Sequence, residues 1–398
     1  MSGRRILVSA IELAGHALPA IALARELGAR GHDVVVQTTG RWRELLDELG
    51  LAAAPPHPYF GRPGSAGGAA EQATLADHVR GLMPAIRELG PDVVVSDGLT
   101  AAPALAAEVA GLPGASLLPE VYPVHERGLP LFGSGLAPPR TTLGGAAWSA
   151  VLPLWRRLPA TRSTRRIFNE QRRQLGLAPE SGFHGSLSKQ LTMVATFPQL
   201  EYPRVWPRHV HVTGPMMLDP GGTEVELPGG DDPLVVVASS TVKDMERRLV
   251  KVTLEALAEE PVRVLVTMGG GGEPLGGPVP ANARVVDWIS YPRVMPVAAA
   301  VVCNGNHGTI ASALAHGVPV LVSPAMPDDA EHGARASWAG CGVMVPAWLL
   351  RPGPVRLAIR HLLDEERFGA RAREIADWSR GHEGTARGAE LVEELAGR

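Results

Sequence analysis

Short runs of apolar, largely β-branched residues alternate along the chain with longer segments whose apolar positions recur every three to four residues. Uninterrupted apolar runs predict strands buried on both faces, and their alternation with helical periodicity predicts parallel sheets with crossover helices. The pattern occurs twice. In the first half, strands are predicted at residues 6–9, 34–37, 93–96 and 115–118, and helices at 17–30, 42–49, 71–89 and 101–109. In the second half, strands are predicted at 234–238, 262–267, 284–286, 300–303 and 318–322, again separated by helical segments. Residues 214–233 between the two sets are dense in Gly, Pro and Asp and read as an interdomain linker. A Pro- and Gly-rich region at 119–145 exceeds an ordinary connection and is expected to be a functional or mobile loop. Residues 354–398 are helical almost throughout. The expected fold class is α/β, with two Rossmann-like domains whose parallel sheets face an interdomain cleft. Ligands of such folds bind at the carboxyl ends of the strands, so function is expected in the strand-to-helix loops.

A chain of 398 residues accommodates two such domains, each with a substantial core. The 46 Gly and 36 Pro residues make about a fifth of the chain, which calls for many tight turns and stays below the share seen in disordered segments. A formal net charge of −3 argues against nucleic acid as a partner. The two cysteines, Cys303 and Cys341, support neither a disulfide framework nor a multi-thiolate metal site, and fit a reducing cytoplasm. Arg4 and Arg5 followed by an apolar run imitate a signal peptide, but Glu12 and His16 interrupt the run. No segment reaches the ~18 uncharged apolar residues of a transmembrane helix, and the best candidate, 101–118, contains Glu108. The chain is expected to be soluble and cytoplasmic.

Four loops carry unusual chemistry. After the first strand, Gly15-His16-Ala17-Leu18-Pro19 places a histidine at a helix start, where the dipole keeps the imidazole neutral and able to act as a general base. A helix-capping or structural histidine is the competing reading. Asp97 ends a strand at the same sheet edge, so it can either orient His16 as a His/Asp dyad or cap the helix that follows. In the second half, Cys303-Asn304-Gly305-Asn306-His307-Gly308-Thr309 joins a strand to a helix, and its backbone N–H groups with the Thr309 hydroxyl suit an anion, foremost a phosphate. A purely structural glycine turn is the alternative. Trp288, directly after a strand, can stack on a base or serve as core, and Asp328 with Asp329 can accept from sugar hydroxyls or cap a helix. His209 and His211 lack further ligands nearby, so no metal site and no cofactor are expected.

In this order, the segments resemble the GT-B glycosyltransferases, and within them the family 1 enzymes that glycosylate bacterial natural products. The resemblance rests on GHxxP at 15–19, VVxWxxY at 285–291, the Gly-rich loop at 304–309 and the loop at 324–332, and it spans nearly the whole chain. It implies a nucleotide-sugar donor, a hydrophobic small-molecule acceptor, metal-free transfer with inversion at the anomeric carbon, and a last helix that returns to the first domain. The implied division is an acceptor domain over 1–213, a linker over 214–232, a donor domain over 233–375 and the returning helix over 376–398. A homodimer stays open. By the same resemblance, His16 is the base and Asp97 its orienting carboxylate. Trp288 stacks on the base, Thr241 and Thr309 contact phosphate together with the loop formed by Asn304, Gly305, Asn306, His307 and Gly308, and Asp328 with Asp329 takes the sugar.

This sequence departs from the family pattern in three places. Asn304 stands where the phosphate loop usually begins with His, Asp329 and His332 replace a Gln and an Asn, and the Glu that grips ribose in many UDP-sugar enzymes falls at Ser312. The last departure favours a thymidine diphosphate deoxysugar over a UDP-hexose, and the acidic set Asp328, Asp329 and Glu331 suits an aminodeoxysugar. The departures also motivate two alternatives: a non-catalytic auxiliary protein, or a sugar-nucleotide epimerase or hydrolase. The apolar loops around 55–68 and 119–145 are expected to supply the acceptor pocket. Seven arginines between Arg156 and Arg173 read as a solvated helix face, with a partner or anionic membrane as the alternative.

Overall fold

The computed structural model describes residues 3–60, 73–182, 184–222, 225–239, 247–269 and 275–397. Among these, thirteen strands form two parallel sheets. The first half runs β1 (Arg5–Ser9), α1 (Ala14–Ala29), β2 (Asp33–Gln37), α2 (Arg43–Glu48), β3 (Ala52–Ala53), α3 (Leu75–Leu89), β4 (Val93–Asp97), α4 (Ala101–Ala110), β5 (Gly114–Leu118), α5 (Thr142–Arg157), α6 (Pro159–Gln174), β6 (Leu191–Val194) and β7 (Val210–Val212). The second runs β8 (Leu234–Ala238), α7 (Arg248–Leu257), β9 (Arg263–Thr267), β10 (Ala283–Val286), α8 (Tyr291–Val294), β11 (Ala298–Cys303), α9 (His307–Ala315), β12 (Val320–Val322), α10 (Pro327–Trp338), β13 (Gly342–Met344), α11 (Pro352–Asp364), α12 (Glu366–Arg380) and α13 (Gly384–Ala396).

The strand orders are β3-β2-β1-β4-β5-β6-β7 and β10-β9-β8-β11-β12-β13. In each sheet the chain reverses its winding once, between β1 and β4 and between β8 and β11, which opens a crevice at the carboxyl ends of those strand pairs. The carboxyl ends of β1, β4 and β11 therefore bring His16 in the first turn of α1, Asp97 at the end of β4 and residues 304–309 at the start of α9 to the two switch points. β8 is buried along its whole length, as a uniformly apolar strand covered on both faces should be, and β4 is buried too although it ends in Ser96 and Asp97. One face of the first sheet packs on α1 and α13, the other on α3 and α4.

α13 lies against α1, where Glu393 pairs with both Arg30 and His32. The chain thus crosses between its halves a second time, beside residues 214–216. There Gly384 leaves no room for a Cβ against the carbonyls of Gly214 and Pro215, and Trp378 stacks on His382.

The halves also share buried material. Val121, Phe197 and Leu200 of the first half belong to a core cluster of the second sheet. Beside them Arg335, only 2% exposed, donates to Glu331 at 2.9 Å, to Glu201 at 2.7 Å and to the Leu200 carbonyl at 3.1 Å, with its guanidinium over the Tyr202 ring. The residues 119–145 read as a functional or mobile loop are partly docked here: Gly133 N–H donates to Glu331, and Leu136 carbonyl accepts from Tyr202. Among the seven arginines read as a solvated face, Arg172 differs, being buried with a bidentate pair to Glu108 at 2.7 Å. Helix α6 turns that one position inward, against α4.

Arg335→Ala leaves two buried carboxylates without a cation, so it should destabilise the fold by about 3–5 kcal/mol. Denaturant unfolding checks this, and a change under 1 kcal/mol would show that the network does not hold the halves together.

Candidate active site

His16 occupies the first turn of α1, whose N-cap is Leu13 and carries no side-chain cap. The imidazole is therefore not spent on capping, and its Nδ1 stands 2.7 Å from Asp97 Oδ1. Asp97 does not cap α4 either. The N-cap of that helix is Thr100, whose N–H and hydroxyl both bond the Asp97 backbone carbonyl. The carboxylate is 0% exposed while His16 is 18% exposed, so the dyad presents its ring and hides its charge. A carboxylate on Nδ1 fixes the proton there and leaves the lone pair on Nε2, the arrangement a general base needs.

On the opposite side, β11 delivers loop 304–309 into α9. Gly305 has φ +115° and sits so close to Asp329 that a Cβ would overlap its backbone. Asn304 and His307 are buried, Asn306 is the N-cap of α9 and half-buried, and Gly308 is exposed with open space at its Cα. Thr309 is buried, with its hydroxyl 3.1 Å from that of Tyr291. The first turn of a nine-residue helix with an exposed glycine offers backbone N–H groups to an anion. Burial pushes Tyr291 up to about 12, so its hydroxyl stays protonated beside Thr309.

Trp288 is half-buried, and its indole N–H donates to the Gly221 carbonyl at 3.0 Å, so the ring is held by the connecting segment. Next to it, Ser290 donates to Asp219 of the same segment. Asp328 is half-buried at the start of α10. Asp329 is buried, accepting from Ala325 N–H at 3.3 Å and Met326 N–H at 3.1 Å, so it caps its own helix. Glu331 is committed to Arg335 and Gly133, which removes it from the acidic set read for an amino sugar. Thr241 lies outside the described residues. Among those described, no cluster of His, Cys, Asp and Glu could hold a metal ion, and no helix is long and apolar enough to cross a membrane.

One residue escaped the sequence reading of the site. Glu120, two residues past β5, faces His332 of α10 at 3.5 Å. Burial pushes its carboxyl up, but contact with His332, and then the charges of His332 and His16, hold it below the usual range. Its signal was a carboxylate just beyond an apolar strand, at the edge that also bears Asp97.

Over 423 aligned residues the chain is 30% identical to the 4'-demethylrebeccamycin synthase of Lentzea aerocolonigenes, spanning 99% of this chain and 100% of that one. The chain belongs to the natural-product branch of the family 1 glycosyltransferases. Residues 251–395 of this glycosyltransferase match the family described as Erythromycin biosynthesis protein CIII-like, C-terminal domain. It is also 27% identical to the O-mycaminosyltylonolide 6-deoxyallosyltransferase of Streptomyces fradiae, over 96% of this chain and 95% of that one. The solved calicheamicin glycosyltransferase CalG4 superposes with a TM-score of 0.73 at 22% identity, covering 100% of this chain and 99% of the other. The fold is GT-B, and the enzyme is a glycosyltransferase of natural-product biosynthesis that uses nucleotide-sugar donors.

Gly305→Ala forces a side chain into a left-handed backbone position against Asp329, a strain of about 1–3 kcal/mol. A lowered thermal midpoint and weakened binding of the nucleotide donor are expected. An unchanged midpoint with unchanged affinity would show that the loop is not pinned by this approach.

Proposed function

We propose that the enzyme moves a deoxysugar from a thymidine diphosphate donor to a hydroxyl of a hydrophobic natural product, inverting the anomeric carbon, with His16 as general base. The observation that carries this reading is the 2.7 Å contact between His16 and the buried Asp97 at the switch point of the first sheet. Nε2 takes the acceptor proton as the oxygen attacks the anomeric carbon, and Asp97 stabilises the imidazolium that forms. The bond from that carbon to the diphosphate breaks on the opposite face, and its electron pair leaves with the nucleotide. Negative charge then grows beside loop 304–309 and the N-terminus of α9, where backbone N–H groups and the helix dipole stabilise it.

In this reading residues 1–213 bind the acceptor, 214–232 connect, 233–375 bind the donor and 376–398 return to the first domain. Trp288 stacks on the base, while Thr241, Thr309 and loop 304–309 hold the diphosphate. Asp328 accepts from the sugar, and Asp329 supports it by fixing the start of α10. Ser312 at the position of the ribose carboxylate favours thymidine over uridine, and the deoxyallosyl donor named for the Streptomyces fradiae relative favours a deoxysugar. An amino group on that sugar would meet Asp328, a charge-assisted contact about twice as strong as a neutral one.

Isothermal titration with thymidine and uridine diphosphates, with chelator present, should give micromolar binding, tighter for thymidine. His16→Ala should keep that binding and lose about 10²–10⁴-fold in transfer rate. Retained transfer in this variant would remove His16 as the base, and comparable turnover of UDP-glucose would sink the thymidine preference. Asp328→Asn should narrow discrimination between amino and neutral sugar donors, and unchanged discrimination would count against an amino sugar.

A further inference from the structure

Glu120 and His332 come from opposite halves and meet inside the cleft, Oε2 to Nε2 at 3.5 Å. The other nitrogen of the same ring, Nδ1, stands 2.8 Å from the Gly305 carbonyl oxygen. A carbonyl can only accept, so Nδ1 carries a proton, and a carboxylate facing Nε2 favours a second proton there. The ring is then an imidazolium lying directly behind the loop that begins at Asn304. Burial works against that charge, but contact with Glu120, its charge and the Gly305 carbonyl hold His332 above the usual histidine range. His307, its ring 5.1 Å from that of His332, goes the other way, pushed well down by burial and then by the charge on His332. The two shifts run in opposite directions, so a proton shared by the pair is favoured on His332 over His307.

We propose that the His332 imidazolium, held by Glu120 of the acceptor half, is the positioning residue that supplies positive charge to the diphosphate loop, a charge Asn304 cannot carry. This rests on reading loop 304–309 as the diphosphate site. His332 acts through the Gly305–Asn306 peptide. A cation bonded to that carbonyl polarises the peptide and strengthens the Asn306 N–H as a donor at the start of α9. Its charge also favours an anion in the loop directly, and the attraction is long-lived in a buried setting where salt screens little. The charged and titratable groups around the pair are Asp328 on α10, His307 on α9 and His16 on α1, with His184 facing Glu120 and Arg335 facing His307. Of these, Asp328 favours the charge on His332 and the neutral His307 does not oppose it.

The cation is present below the raised pKa of His332 and lost above it, so affinity for an anionic ligand must fall as pH rises. The test is titration of the wild-type enzyme and of His332→Asn with thymidine diphosphate from pH 6 to 9, metal chelated. Asparagine can still donate to the Gly305 carbonyl but carries no charge, and ionisation of the nucleotide itself enters both profiles equally. The wild type should lose roughly five- to tenfold more affinity across this range than the variant, as a partly screened charge would produce, and the two should converge at high pH. Parallel profiles, including a constant loss at every pH, would reduce His332 to a structural role and overturn the proposal. Glu120→Gln should move the fall to lower pH, a readout that stands if His332→Asn does not fold, and an unmoved midpoint would overturn the part assigned to Glu120. A wild-type enzyme that binds neither thymidine nor uridine diphosphate would instead overturn the diphosphate reading of the loop, and this proposal with it.

Discussion

An arginine almost wholly out of water sets the geometry of this molecule. Arg335 cannot be buried without anions, and the two it uses come from its own helix and from the far side of the cleft. Satisfying it fixes how α10 lies against the segment after β6, and α10 is the helix that carries Asp328, Asp329 and His332. The same helix receives Gly133 through Glu331 and presses Asp329 against Gly305. One buried cation thus sets the position of loop 304–309 from behind while anchoring part of the first half in front.

The dyad on the other wall is organised by a different principle. His16 and Asp97 need no shared helix, because two adjacent parallel strands that end in register deliver both side chains to one edge: Ser9 of β1 pairs with Ser96 of β4, the residue before Asp97. Their 2.7 Å contact leaves the carboxylate out of water and the ring partly exposed. Each half therefore brings polar groups to its own topological switch point. The cleft is where they are added together.

The sequence made the paired sheets legible because buried parallel strands such as β8 are unbroken apolar runs. It did not reveal β3, β6, β7 or β13, each of two to four residues and none set in a longer apolar run. His16 and Asp97 could be joined on paper because both follow strands whose ends must coincide. Glu120 and His332 could not, since their meeting depends on the angle between the halves, which no local pattern encodes. The same reason hid the fate of the acidic set. Glu331 read as part of an acidic set open to a sugar, and only the packed structure shows it buried against Arg335, which also reaches Glu201. Arg172 teaches the same lesson from the other direction, one buried position inside a run of exposed arginines.

The loop glycines that meet α10 have a consequence for anyone recombining enzymes of this kind. Gly133 and Gly135 adopt left-handed backbone conformations, and a methyl group added to either would come within 3.0 Å of Pro327 or 3.2 Å of Ala330. The fit is a lock cut from both sides, and its two parts lie far apart in the chain. A chimera joined at the connecting segment would inherit one face from each parent, so exchanging first halves requires transplanting the matching surface of α10 along with them.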